Sequence, residues 1–147
     1  MPPNRRIAAA LTALMATACA GEPPREPALD LADTQWVAED IDGKGIADGV
    51  ESTLSIDASG RAAGLGGCNR YFGDVTFADG TIEFGPLGST RMACPEAAMN
   101  QEQRFFTALA ASRSYRQDGV TGLLYFQDEA GEDILRFRQM RKIEAAE

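Results

Sequence analysis

Two cysteines and the polar side chains around them are where this chain could do chemistry. Asn69, Arg70 and Tyr71 follow Cys68, Thr90 and Arg91 precede Cys94, and Glu102 comes shortly after it. The thiols could form a disulfide, stay reduced or act as a redox couple; no CxxC spacing lowers either pKa, which disfavours the last. Acid–base and nucleophilic catalysis are more tightly constrained. The sequence has no histidine, which removes His-based triads, His general bases and the usual zinc and copper ligand sets. A Ser, Thr or Tyr nucleophile would need Lys44, Lys142 or a carboxylate as its base, and no nucleophile motif surrounds any of them. The expectation is a non-enzymatic chain with no catalytic residue and no cofactor.

One stretch invites a metal. In Asp40–Glu51 (DIDGKGIADGVE), residues Asp40, Asp42, Gly45, Asp48 and Glu51 fall on positions 1, 3, 6, 9 and 12 of a calcium EF-hand loop. Lys44 puts an ammonium where the fifth position needs an oxygen, Ala47 is a weak aliphatic anchor, and the flanks read as strands. The better reading is a polar, Gly-rich connection without metal.

A third cysteine bears on the pairing of the other two. Met1–Met15 carries Arg5 and Arg6 and then a short apolar run, the form of a secretory signal too short to persist as a spanning helix. Ala16-x-Ala18 fits ordinary cleavage, and Ala16-Thr17-Ala18-Cys19 also resembles a lipobox, although Ala16 stands where a larger aliphatic residue is usual. Lipidation of Cys19 would anchor the chain and leave Cys68 and Cys94 as an even pair, expected to form a disulfide outside the cytoplasm. The expected organisation is a lipoprotein-type signal over 1–18, lipidated Cys19 and a Pro/Glu-rich tether over 19–33, one domain over 34–140, and a charged tail over 141–147. Ala20 after the cysteine resembles the outer-membrane sorting pattern, so the expected place is the bacterial envelope, on the outer membrane facing the periplasm. A net charge of −8 makes nucleic acid a poor partner.

The elements that must position these residues are short. Alternation predicts strands at Thr34–Glu39 with Trp36 in the core, Leu54–Asp57, Arg61–Leu65, Tyr71–Phe77, Ile82–Phe84, Ser114–Asp118, Thr121–Gln127 and Ile134–Gln139. Asp79-Gly80 signals a type I′ hairpin. Gly85–Gly88 breaks the strand run, and Pro95 opens the one convincing helix, whose stripe is Ala98, Met99, Phe105, Phe106 and Leu109. Gly64, Gly66 and Gly67 weaken a strand unless something approaches its backbone closely, and the helix end is expected to do so. Glu102 lies inside the apolar stripe and needs donors. Arg91, Arg70 and the amides of the Gly-rich turn are available. The fold class is α+β: a curved antiparallel sheet or partial barrel of about eight short strands with one main helix packed on it.

The motifs G-x-G-G-C-N-R-Y-x-G (Gly64–Gly73) and S-T-R-M-A-C-P (Ser89–Pro95), followed by Gln101-Glu102 and Phe105–Leu109, resemble the META domain, or HslJ-like, family from about Thr34 to Arg138. Ala62-Ala63 departs slightly, where a β-branched residue is more usual. The resemblance implies a small β-rich domain with a packed helix, often on an envelope lipoprotein. It also implies links to heat or envelope stress and to motility or secretion, with no established reaction. The functional expectation is a lipid-anchored interaction or stabilising module with an envelope protein partner. The alternative is a small-ligand domain with a pocket between sheet and helix. Asn69, Arg70, Tyr71, Thr90, Arg91 and Glu102 are read as a polar cluster that either satisfies the Gly-rich turn and helix start or, through Arg70, Tyr71 and Arg91, lines a binding surface.

Overall fold

The computed structural model describes residues 29–140. The signal segment, Cys19, the tether up to residue 28 and the charged tail lie outside the described residues. Nine strands and one helix follow in order: β1 (Thr34–Ile41), β2 (Thr53–Ile56), β3 (Arg61–Leu65), β4 (Arg70–Ala78), β5 (Thr81–Phe84), β6 (Gly88–Ser89), α1 (Glu96–Ala111), β7 (Ser114–Gln117), β8 (Leu124–Gln127) and β9 (Asp133–Gln139).

All pairings are antiparallel, and they close. The strand order is β3-β2-β1-β9-β8-β7-β5-β4, with β4 returning to β3 and β6 added beside β4. The result is an eight-stranded barrel with one helix. The chain is a meander interrupted once, where α1 is inserted between β6 and β7. Alternation supplies the interior: Tyr71, Gly73 and Val75 of β4 face inward, while Arg70, Phe72 and Asp74 face out. Trp36, Leu54, Ile56, Phe84, Phe126 and Phe137 fill the centre and are all buried, so the barrel is a packed core and not a container.

The helix lies across one end of the barrel. Phe105 meets Tyr71 of β4 at a 5.7 Å ring separation and Phe137 of β9 at 6.2 Å. Those strands stand opposite each other in the ring. The loop after β1, the turn at 66–69 and the β8–β9 turn share this end. At the other end β1 begins, and the β2–β3, β4–β5 and β7–β8 turns gather there. Both limits of the described chain, residues 29 and 140, lie at that end.

Four local expectations are corrected. Leu29 and Leu31 do not belong to a tether: Leu31 is fully buried, Leu29 packs on the core, and the Tyr115 hydroxyl donates to the Leu29 carbonyl at 2.7 Å. The domain therefore starts near residue 29. Thr121–Leu123 is not strand, because Asp118 Oδ1 accepts from the Val120 and Thr121 amides and Gly122 sits at φ +72°. Gly88–Ser89, expected as part of a break or beyond it, pairs with Tyr71 and Phe72 as β6. Pro95 caps the helix instead of opening it, with ψ 148°. The hairpin signal holds, with Asp79 and Gly80 both at positive φ.

Candidate functional site

The motif residues converge where the 66–69 turn meets α1. Cys68 and Cys94 are joined by a disulfide, with Cα atoms 5.9 Å apart. It ties the turn before β4 to the residue preceding the helix cap. Gly66 and Gly67 let the helix sit on this turn. A Cβ on Gly66 would lie 2.6 Å from the Phe106 ring, and one on Gly67 would lie 2.8 Å from the Ala98 carbonyl oxygen. The helix therefore explains these two glycines. Gly64 answers to a different neighbour, the Thr53 backbone of β2.

Glu102 is 7 % exposed, and its donors are the turn amides, not an arginine. Oε2 accepts from the backbone N–H groups of Cys68 at 3.0 Å and Asn69 at 2.5 Å, and Oε1 accepts from Asn69 Nδ2 at 2.8 Å. A carboxylate taken from water is held this way by several donors at once. Asn69 passes the connection on. Its Oδ1 accepts from the Met92 N–H at 2.6 Å and from the Thr90 hydroxyl at 3.1 Å. One short chain of bonds thus links helix, turn and the loop carrying Cys94.

Arg70, Tyr71 and Arg91 stand apart from this hub. Tyr71 is buried at 1 % exposure, its ring packs edge-on against Phe105 and Phe106, and its hydroxyl donates to the Thr53 carbonyl at 2.7 Å. Burial pushes its pKa well above the usual tyrosine range. Tyr71 therefore belongs to the core and cannot line a surface. Arg70 and Arg91 are exposed, and among the described residues neither forms a salt bridge. Near them Phe72 is 54 % and Met92 57 % exposed.

The Asp40–Glu51 loop is folded by its own backbone. Asp40 Oδ2 accepts from the Gly43 N–H and Oδ1 from the Gly45 N–H, both at 2.8 Å. Asp42 faces Lys44 at 3.8 Å. Among the described residues no group of three or more acidic or cysteine side chains is placed to hold a metal, and Asp42, Asp48 and Glu51 do not converge on Asp40.

Two features had little signal in the sequence. Gln101 is fully buried beside Glu102: its Oε1 accepts from the Ala47 N–H at 2.7 Å and its Nε2 donates to Ser52 Oγ at 3.0 Å. Ser52 in turn donates to the Gly66 carbonyl at 2.6 Å. The position of Gln101 next to Glu102 in the motif is the available hint. The second is a cleft of about 300 Å³ on the opposite flank of α1, lined by Arg104, Ala108 and Ala111 of the helix with Asp42, Asp128 and Ile134. It needs three segments that only the tertiary fold brings together.

A model of the META domain matches residues 29–141. An NMR structure of a protein from Burkholderia xenovorans is similar at 27% identity and TM-score 0.63, covering 87% of this chain and 100% of that one. A second NMR structure shares 20% identity at TM-score 0.56 over 74% of this chain and 90% of its own. The crystal structure of a DUF4847 family protein from Bacteroides vulgatus shares 16% at TM-score 0.55 over 76% and 96%. The last two show the fold alone. No curated protein matches the chain. With the family model spanning all the described residues, including the stapled turn and the helix that covers it, this chain belongs to the META domain family.

Proposed function

We propose that this META domain is a lipid-anchored module of the bacterial envelope, on the outer membrane facing the periplasm. It binds an envelope protein partner, as part of an outer-membrane assembly or of the response to heat and envelope stress, and makes or breaks no bonds itself. The carrying observation is the segment Thr90–Ala97, exposed throughout except at Cys94 yet fixed at Met92 by Asn69 and at Cys94 by the disulfide. An exposed loop held in one conformation loses little entropy on binding, and Arg and Met beside an exposed aromatic are the residue types enriched in interfaces. An anchor at Cys19 would enter at the barrel end where residue 29 lies, and would leave this loop pointing away from the bilayer. Catalysis is left out because the hub's polar groups are engaged by one another and by backbone.

Crosslinking in intact envelopes followed by pull-down tests the proposal, with wild type beside the Arg70→Ala/Arg91→Ala variant. The expected result is a captured protein lost in the variant while the melting temperature holds. Equal capture by both, or a variant that melts early, would refute the assignment of these arginines to an interface. A second reading, small-ligand binding, is supported by the cleft between α1 and β9.

A further inference from the structure

We infer that the envelope partner adds an extended segment as a further β-strand along the free edge of β6, with an apolar side chain laid on Phe72. The inference rests on the partner reading. β6 pairs with β4 alone, in the register Tyr71↔Ser89 and Phe72↔Gly88. The Thr90 N–H donates to the Arg70 carbonyl at 3.0 Å, so Gly88 and the Thr90 N–H face β4 while the backbone groups of Ser89 turn away from it. The alternation runs on past the strand, because the Met92 N–H also points inward, to Asn69 Oδ1 at 2.6 Å. Ser89 and Arg91 thus direct N–H and C=O outward, and among the described residues these groups have no hydrogen-bond partner. Every residue from Ser89 to Ala93 is exposed.

An edge of this kind selects its occupant by backbone chemistry. Unpaired N–H and C=O groups at alternate residues match an extended chain, whereas the interior of a helix has none free to offer. The edge is also set before binding, by β4 along its length and by the Cys68–Cys94 bridge just beyond it, which limits the ordering cost. Phe72 supplies the side-chain preference. A Cβ on Gly88 would stand 2.8 Å from the Phe72 ring, so glycine there lets the ring lie across β6 towards the edge, where it is 54 % exposed. An apolar side chain of the added strand, opposite Gly88, would cover it. A second copy of this chain is the other strand at hand. Paired antiparallel through β6, the two copies would point their residue-29 ends in opposite directions, which anchors in one bilayer do not permit.

The test compares wild type with Ser89→Pro, Ser89→Ala and Phe72→Ala in the envelope crosslinking pull-down. It then follows amide hydrogen exchange of the full mature chain with the captured protein added. Ser89→Pro removes one outward N–H and no inward bond, a change that edge strands tolerate, and should abolish capture while the melting temperature holds. Ser89→Ala should capture as wild type does, and Phe72→Ala should bind about fivefold or more weakly. In the wild-type complex the Ser89 and Arg91 amides should exchange about tenfold or more slowly than in the free chain. Should Ser89→Pro melt early, that exchange decides alone. Capture by a folded Ser89→Pro equal to wild type, or unchanged exchange at Ser89 and Arg91, would overturn strand addition and leave the partner reading standing. A captured protein that is a second copy of this chain would overturn the separate partner. No capture by wild type would overturn the partner reading as well.

Discussion

Carboxylates hold the turn under α1 and the turns of the far end of this barrel in different ways. At the helix end Glu102 accepts the amides of Cys68 and Asn69 from more than thirty residues away, out of water. At the far end Asp57 accepts from the Ser59 and Arg61 amides, and Asp118 from those of Val120 and Thr121, each within its own exposed turn. The bond chemistry is the same. The difference is what happens when the acceptor is lost. Water replaces Asp57 or Asp118 at little cost, whereas the amides under α1 would be left dry and unpaired. The turn under α1 is therefore fixed by tertiary structure, whereas the far-end turns, like the β8–β9 turn that Asp128 closes on its own amides, are self-contained.

The largest expected effect comes from Glu102→Ala, which should lower unfolding free energy by about 3–5 kcal/mol in denaturant titration, the sum of lost charge-assisted bonds and stranded donors. Asp57→Ala and Asp118→Ala should each leave the midpoint nearly unmoved. Comparable losses at all three would erase the distinction between the buried turn and the exposed ones. Opening the Cys68–Cys94 bridge, by reduction or by Cys68→Ser/Cys94→Ser, should cost about 3–4 kcal/mol for a loop of this length. Gly67→Ala should cost about 1–3 kcal/mol, because its Cβ would press on the Ala98 carbonyl 2.8 Å away and helix or turn must shift.

The pH responses are smaller and have opposite signs. Burial raises the Tyr71 pKa in the folded state, so above about pH 10 the unfolded chain releases a proton that the native one keeps. Stability should then fall as pH rises, by about 1.4 kcal/mol per pH unit for this one group. Tyr71→Phe should flatten that slope. Bonds to Ser59, side chain first, lower the Asp57 pKa, and the Thr121 amide foremost lowers that of Asp118. Their contributions are present above the ordinary carboxylate range and fade as pH falls through the folded values. Urea midpoints measured across acid and alkaline series would show both slopes.

The same contrast explains what the sequence disclosed. Period-two alternation in Arg70–Ala78 and the Asp79-Gly80 pair wrote the β4–β5 hairpin almost directly, because strand and turn chemistry are local. The Gly66-Gly67 pair announced a close approach, and the helix makes it. Closure of the barrel through β1 and β9 was not legible, since that pairing joins the two ends of the domain. Nor was the choice among donors for Glu102: composition offered two arginines and a turn, and only the packed geometry puts the turn amides nearest. Thr121–Leu123 misled because its residue types suit a strand while Asp118 folds it as a turn. The cleft at Ala108 and Ala111 left no trace, because two alanines on a helix look like ordinary helix formers.

The decisive measurement is native-state hydrogen exchange, comparing the amides of Cys68 and Asn69 with those of Ser59 and Thr121. Cys68 and Asn69 should exchange only through global unfolding, at the rate of the β1 and β9 core amides, while Ser59 and Thr121 exchange through local opening. Exchange of the Cys68 and Asn69 amides as fast as those of the exposed turns would contradict it.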